Sequence, residues 1–574
     1  MSSRVLLSLA AAIAATACAG DPASQAEPVK EDISIARFDW FEYRGDDPAF
    51  RDPPGPGGYL NPVLAGFYPD PSVTQADDGF YLVTSTFGYF PGIPVMYSRD
   101  LVNWQQVGNV IDRSGMLDFD DLGLSRGVFA PTIEYHQGTF YVANTCVDCG
   151  GNFIVTSEDP AGPWSDPVWL PEVGGIDPSL FFDTDGKVWL MNNDAPEGGS
   201  TYEGHRAIWI REIDPETFQP VSEPVMIIDG GVRPEDKPIW IEGPHIYKLD
   251  GWYYLSAAEG GTAIDHSQVV LRSKSITGPY TAHEKNPILT QRDLSADRPN
   301  PITSVGHADL VQDAAGDWWA TFLGVRPYEG DHYNTGRETF LMPVAWKDGW
   351  PVITETGEEV PYSSKTRPAG FEPLTEVTPL SGNFVLREEF EGDALPLHWM
   401  TLRVPESPWW SLPDGALEIE ARPVSIGSGK QPSYLGRRQQ HQNAEVTTSL
   451  TFAPDRPGSE AGIAVLQNDN HFYALGLGKA ADGSAIITLR RKAGGEAPEG
   501  GEEIARDMLT PYPDTSLQLR IQARGDVYDF AYRPDESDEW TTIARGLDGK
   551  PLSTRTAGGF VGATFGLYAE AMPR

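Results

Sequence analysis

Positive charge is scarce in this chain. Its 574 residues carry 43 Lys and Arg against 82 Asp and Glu, a formal net charge of −39 at pH 7. A main role in binding nucleic acid or an anionic lipid surface needs a basic face, so both are excluded as principal partners. Cysteine is scarcer still, with residues only at 18, 146 and 149. Cys146 and Cys149 are spaced C-x-x-C, half of a four-ligand zinc site, and no nearby His completes it. A local disulfide and a pair of free thiols remain the two readings. Long apolar runs are also lacking, since Val5 to Ala15 is too short to span a bilayer. Turn formers and aromatics are abundant instead: 60 Gly, 49 Pro and 11% Phe, Trp and Tyr favour short strands over helices. The length exceeds one ordinary core, so at least two domains are expected.

The N-terminus reads as an export signal over residues 1–17, with Arg4 ahead of a short apolar core and Ala15-Thr16-Ala17 before Cys18. Cys18 after small residues resembles a bacterial lipobox and predicts a lipid anchor there; a plain secretory peptide is the alternative. The expected location is therefore periplasmic or attached to the outer membrane, otherwise secreted. Residues 18–32, rich in Ala, Pro, Asp and Glu, read as a flexible tether.

Five segments repeat a Gly followed by an aromatic-rich strand: DDGFYLVTS, HQGTFYVAN, TDGKVWLMN, LDGWYYLSA and AGDWWATFL. Each is followed by a further strand and a turn-rich stretch. Short antiparallel units at this period predict a five-bladed β-propeller over residues 61–365. The repeated Gly marks the turn between a blade's first two strands, where positive φ is cheap.

The repeat also serves as a ruler. Nine residues before each Gly stand Asp70, Phe129, Asp177, Glu242 and His307. Innermost propeller strands start at one rim, so these five form a ring at one mouth of the channel. Three acids in such a ring repel one another, which a purely structural ring would avoid. Cleavage of a glycosidic bond needs a carboxyl kept protonated and a carboxylate that activates water or attacks the sugar. Clustered like charges supply the first by raising one pKa. The prolines of Pro69-Asp70-Pro71 and Asp177-Pro178 restrict the backbone around two of the acids.

The segments NPVLAGFYPDPSV, GGIDPSLFFDTDGKVW, IEGPHIYKLDGWYYL, GHADLVQDAAGDWWATFLGVRP and GRETFLMPVAWKDGWPV together resemble glycoside hydrolase family 43, in its β-xylosidase and α-L-arabinofuranosidase members. The resemblance runs in order from residue 61 to about 353 and more weakly beyond. It implies an inverting mechanism, with Asp70 as general base, Glu242 as general acid and Asp177 as the residue that orients the acid and raises its pKa. It further implies that Arg326 holds sugar hydroxyls, that Phe87 walls the terminal-sugar pocket, and that His307 faces a structural calcium or similar cation in the channel. No catalytic cofactor is implied. Phe129 stands where many members carry Trp, so a smaller stacking surface is expected. Read without the resemblance, Arg326 is a surface arginine, Phe87 a core residue and His307 an ordinary hydrogen-bonding histidine.

After a linker at 366–382, alternating strands such as VTTSLTFAP, GIAVLQNDNHFYALGLG and SLQLRIQARGDVYDFAYRP predict a jelly-roll β-sandwich over 383–574. Related enzymes carry such a domain and send one loop toward the active site; Phe560 in GGFVG is the candidate, with a core strand position as the alternative. The isolated stretch ARFDWFEY lies in the remaining segment, 33–60. Its aromatics match the closing strand of related sandwiches, so the segment is expected to complete the C-terminal sandwich; a strand on the propeller edge is the alternative. The leading function is an exo-acting β-xylosidase on xylo-oligosaccharides, with α-L-arabinofuranosidase activity on arabinose-substituted ones. A non-catalytic glycan-binding surface propeller is the other class, and it would be expected to have lost one of the three acids.

Overall fold

The computed structural model describes residues 34–572 except 56, 296, 372, 373, 375, 376, 510, 511, 514 and 536. The expected signal, tether and Cys18 lie outside the described residues. Described helix is confined to Thr554–Ala557 and short 3-10 turns, and the remainder is built from strands.

Five antiparallel sheets follow one another from residue 72 to 343. Their innermost strands are Ser72–Gln75, Thr132–His136, Ile176–Phe182, Glu242–Leu249 and Thr303–Gln312. Each contacts the next and the last contacts the first, which closes a five-bladed ring. The fifth blade has three strands of its own, and the segment ahead of blade 1 completes it. Leu64 and Thr339 exchange backbone hydrogen bonds of 3.2 and 3.1 Å, and Tyr59–Leu60 pairs with Ser363–Ser364. Closure by a strand from the opposite end of the domain ties the ring without a free edge.

The repeated glycines do the expected work in four blades: Gly138, Gly186, Gly251 and Gly316 have φ between 70° and 89°. Gly79 is required for space instead, since a Cβ there would stand 2.6 Å from the Ser98 carbonyl oxygen. In blade 2, Cys146 and Cys149 are joined as a disulfide.

The C-terminal domain is a sandwich of two antiparallel sheets. The strand Ile35–Gly45 lies inside one of them. It pairs along most of its length with Asn443–Thr451, and on its other edge with Leu417–Glu420 and Val385–Glu388. All of these partners belong to the sandwich. A bulge between Phe38 and Trp40 shifts the alternation by one residue. Ala36 and Phe38 on one side of it, and Phe41 and Tyr43 on the other, therefore all enter the sandwich core. Each such aromatic removed from water contributes about 1.5–3 kcal/mol. In the other sheet the outermost strand, Tyr89–Phe90, comes from the propeller and pairs with Met400–Leu402. Strands from the N-terminal segment and from the propeller thus both join the sandwich, and the described residues form one compact unit.

Candidate active site

The carboxylates are placed by backbone irregularities that recur around the ring. The inner strands of blades 3, 4 and 5 each carry one extra residue relative to their partner, between Ile176 and Ser179, Glu242 and His245, and Gly306 and Asp309. At these bulges, and ahead of the blade 1 strand, the chain turns left-handed: φ is 55° at Asp70, 55° at Asp177, 57° at Gly243 and 52° at His307. Such bulges re-aim side chains, here toward the channel mouth. Left-handed non-glycine residues are uncommon and cost on the order of 1–3 kcal/mol, which concentrates them at functional sites. The nine-residue ruler slips by one in blade 4. That hairpin closes through Asp250 and Gly251 alone, whereas blade 3 uses residues 183–187, so the left-handed position falls on Gly243 and Glu242 precedes it.

Asp70 is firmly engaged. The Ser85 hydroxyl donates to it at 2.6 Å, the Arg337 guanidinium at 2.8 Å, and His307 Nδ1 lies 3.8 Å away. Burial alone would raise its pKa, but Arg337, His307 and the Ser85 hydroxyl together outweigh that and hold the carboxyl below its ordinary range. Burial lowers His307 to about 4, so near neutral pH its imidazole is uncharged. Asp177 accepts a hydrogen bond from the Gly243 backbone N–H at 3.1 Å, yet burial and the Asp70 charge raise its pKa. Glu242 has no hydrogen-bond donor among the described residues. Burial, Asp177 and Asp70 together push it well above the carboxylate range. One mouth therefore holds a carboxyl whose pKa is lowered and another whose pKa is raised, with a third acid bonded to the backbone beside the second.

All five ruler positions line a single cavity of about 870 Å³, together with Phe87 and Phe560. Phe560 comes from the sandwich: its ring stacks on Phe87 at 5.8 Å and meets Phe129 edge-on at 5.6 Å. Its backbone N–H donates to the Ser125 hydroxyl at 2.9 Å. The preceding Gly559 has φ 77°, and a Cβ there would stand 2.1 Å from Ser125 Oγ. The loop's approach to the propeller thus depends on glycine. Arg337 lies over both Phe87 and Phe560, at 5.7 and 5.4 Å from the ring centres.

Arg326 is a correction. It does not line this cavity. It is buried where blade 5, the N-terminal segment and the sandwich meet, bonded to Glu338 at 2.6 and 2.9 Å, Asp47 at 2.7 Å and the Gln440 carbonyl at 3.0 Å. The arginine at the mouth is Arg337. Both flank the turn joining the strands Trp318–Val325 and Glu338–Pro343, so both sit near one rim, and spacing does not say which faces inward. Sequence reasoning also missed Ser85, Arg206 and Trp240. Trp240, two residues before Glu242, carried a usable signal in PIWIEGP.

A cation facing His307 is not supported by the donors present. Among the described residues no group of three or more His, Cys, Asp or Glu could hold a metal ion, and Asp70 is occupied by Arg337 and Ser85. A hard cation there would rest on water.

Two carboxyls with pKa values displaced in opposite directions, in one cavity walled by aromatics, suit hydrolysis with acid and base in separate hands. Comparisons with known proteins agree. The model of Glycosyl hydrolases family 43 matches residues 59–351, and that of the Beta xylosidase C-terminal Concanavalin A-like domain matches 387–573. A xylosidase/arabinosidase of Butyrivibrio fibrisolvens is 37% identical over 515 residues, covering 89% of this chain and 95% of that protein. A non-reducing end alpha-L-arabinofuranosidase of Bacteroides ovatus is 34% identical over 523 residues, covering 89% and 91%. The crystal structure of a GH43_12 protein retrieved from a capybara gut metagenome superposes with a TM-score of 0.86 at 38% identity, covering 93% of this chain and 99% of that one.

Proposed function

The chain belongs to family 43 of the glycosyl hydrolases, and from that premise we propose an exo-acting, inverting enzyme that releases xylose from the non-reducing ends of xylo-oligosaccharides, with α-L-arabinofuranosidase activity as a second capacity. The observation that carries the proposal is the opposite displacement of two carboxyls in one cavity, Asp70 downward by Arg337 and Ser85, Glu242 upward by burial and its acidic neighbours. In the proposed step Glu242 gives its proton to the glycosidic oxygen as the anomeric carbon–oxygen bond breaks. A water held by Asp70 attacks the anomeric carbon from the opposite face, and its proton passes to Asp70. Asp177, bonded to the Gly243 N–H, fixes the strand that carries Glu242 and keeps the acid's pKa high. Phe87, Phe129 and Phe560 exclude water from one side of the terminal sugar, and Arg337 offers its remaining donors there. The loop carrying Phe560 closes that side, which favours chain ends over the middle of a polymer.

The test is hydrolysis of aryl xylopyranoside and aryl arabinofuranoside by wild type, Glu242→Ala and Asp70→Asn, with the anomer of the first product followed by NMR. Loss of activity in both variants and an inverted first product are expected; a retained configuration, or full activity in Glu242→Ala, overturns the reading. Export with lipid on Cys18 belongs to the same proposal, and labelling cells with a radioactive fatty acid tests it against Cys18→Ser.

A further inference from the structure

The cavity is larger than one terminal sugar needs, and its lining divides by chemistry. Around Asp70 lie Arg337, Phe87 and Phe560. Around Glu242 lies a different group, led by Trp240 and Arg206. The Arg206 guanidinium stacks over the Trp240 ring at 4.1 Å and donates to the His205 carbonyl oxygen at 2.9 Å. Among the described residues Arg206 forms no ion pair, although the chain carries acids in twofold excess. Its charge is felt at Glu242, where it opposes the upward shift. Trp240 is a bulky residue held left-handed, φ 53°, with its N–H bonded to the Gly204 carbonyl oxygen at 2.8 Å. Trp240 is half-buried two residues from the acid and belongs to none of the hydrophobic clusters, so its left-handed backbone is not held for a shared core.

A protonated acid gives its proton to the leaving oxygen, so the departing sugar must lie on Glu242's side. We infer that Trp240 and Arg206 form the subsite for that leaving sugar, the ring of Trp240 stacking against the sugar's C–H face and Arg206 donating to its hydroxyls. The ligand is a neutral pentose or hexose at the reducing side of the scissile bond. The inference rests on the reading of Glu242 as the acid, and it adds that this enzyme selects for a glycosyl leaving group.

The experiment compares xylobiose with methyl β-xylopyranoside, whose alkoxide leaving group needs the Glu242 proton as a sugar does but is too small to reach Trp240. In Trp240→Ala and Arg206→Ala, kcat/KM on xylobiose is expected to fall roughly 10- to 100-fold, as for truncation of a stacked anchor residue. Hydrolysis of the methyl glycoside should stay within about threefold, and Trp240→Phe should recover most of the xylobiose activity. A parallel fall on both substrates would assign Trp240 to holding Glu242 in place, and no fall on xylobiose would remove the subsite; either overturns the inference. If wild type cleaves neither substrate, the catalytic reading has failed by itself. Calorimetric binding of xylobiose then decides the subsite, unchanged affinity in Trp240→Ala overturning it and a clear loss supporting it.

Discussion

Arg326 holds both oxygens of Glu338, at 2.6 and 2.9 Å, and the residue before Glu338 is Arg337, which holds Asp70. The buried pair also takes in Asp47 from the N-terminal segment and the Gln440 carbonyl from the sandwich. A fork that serves two carboxylates and a carbonyl at once is a geometry lysine does not reproduce. Arg326→Met leaves Glu338 and Asp47 buried without their cation, and removing one partner of such a pair costs about 3–5 kcal/mol. Denaturant unfolding of this variant should show that loss. Activity at temperatures where it stays folded should fall too, because Arg337 immediately precedes Glu338 at the start of that strand.

The N-terminal strand is a structural member of the sandwich. Phe38 is fully buried in the sandwich core, between strands that follow it in the chain by some 380 residues or more. Phe38→Ala should cost about 3–5 kcal/mol, as large-to-small substitutions of buried aromatics do. Trp40→Ala, on the outward face beneath Arg387, should cost far less. Equal losses in chemical denaturation would mean that the bulge at Phe38 and Trp40 does not set which face is buried.

Much of this was legible in the sequence, for definable reasons. Blades repeat, and each places its first strand at one rim, so counting from a turn glycine reached Asp70, Phe129, Asp177, Glu242 and His307 without coordinates. The count tolerated an error of one in blade 4 because both Glu242 and Gly243 lie at the bulge. Arg326 and Arg337 mark where counting stops working. They stand at opposite ends of one loop, and only the partners that come from distant segments, Asp47 and Gln440 for one and Asp70 for the other, decide which faces the cavity. Phe560 was reachable through glycines flanking a lone aromatic, and its partner Ser125 was not, since nothing local in the chain joins residues 435 apart.

Ser85 offers a test of how Asp70 is kept ionised. Its hydroxyl donates to Asp70 at 2.6 Å, and that bond favours the charged form. A hydrogen bond to a charged group contributes about 1.5–3 kcal/mol, so Ser85→Ala should move the acid limb of kcat/KM upward by about one to two pH units. The alkaline limb, governed by Glu242, should stay where it is. His307 is neutral above about pH 4 and contributes to neither limb near neutrality. Initial rates across pH 3–9 would check this, and an unmoved acid limb would take the Ser85 bond out of the account.

Glu242 should make the protein less stable as pH rises. Its folded pKa lies well above the unfolded value of about 4.3, so the unfolded chain loses this proton first. Between those two values the unfolded state binds fewer protons than the native state, and stability falls with increasing pH. Asp70 has the opposite sign: its folded pKa is lowered, and its contribution is present above about pH 4 and lost in acid. Glu242→Gln removes only the first effect. The variant should melt close to wild type near pH 4 and progressively higher than wild type toward pH 8. Calorimetric melting of both proteins at matched ionic strength gives the comparison. A difference that stays flat across that range would mean that Glu242 titrates normally in the folded enzyme, and with it would go the proton that the leaving oxygen needs.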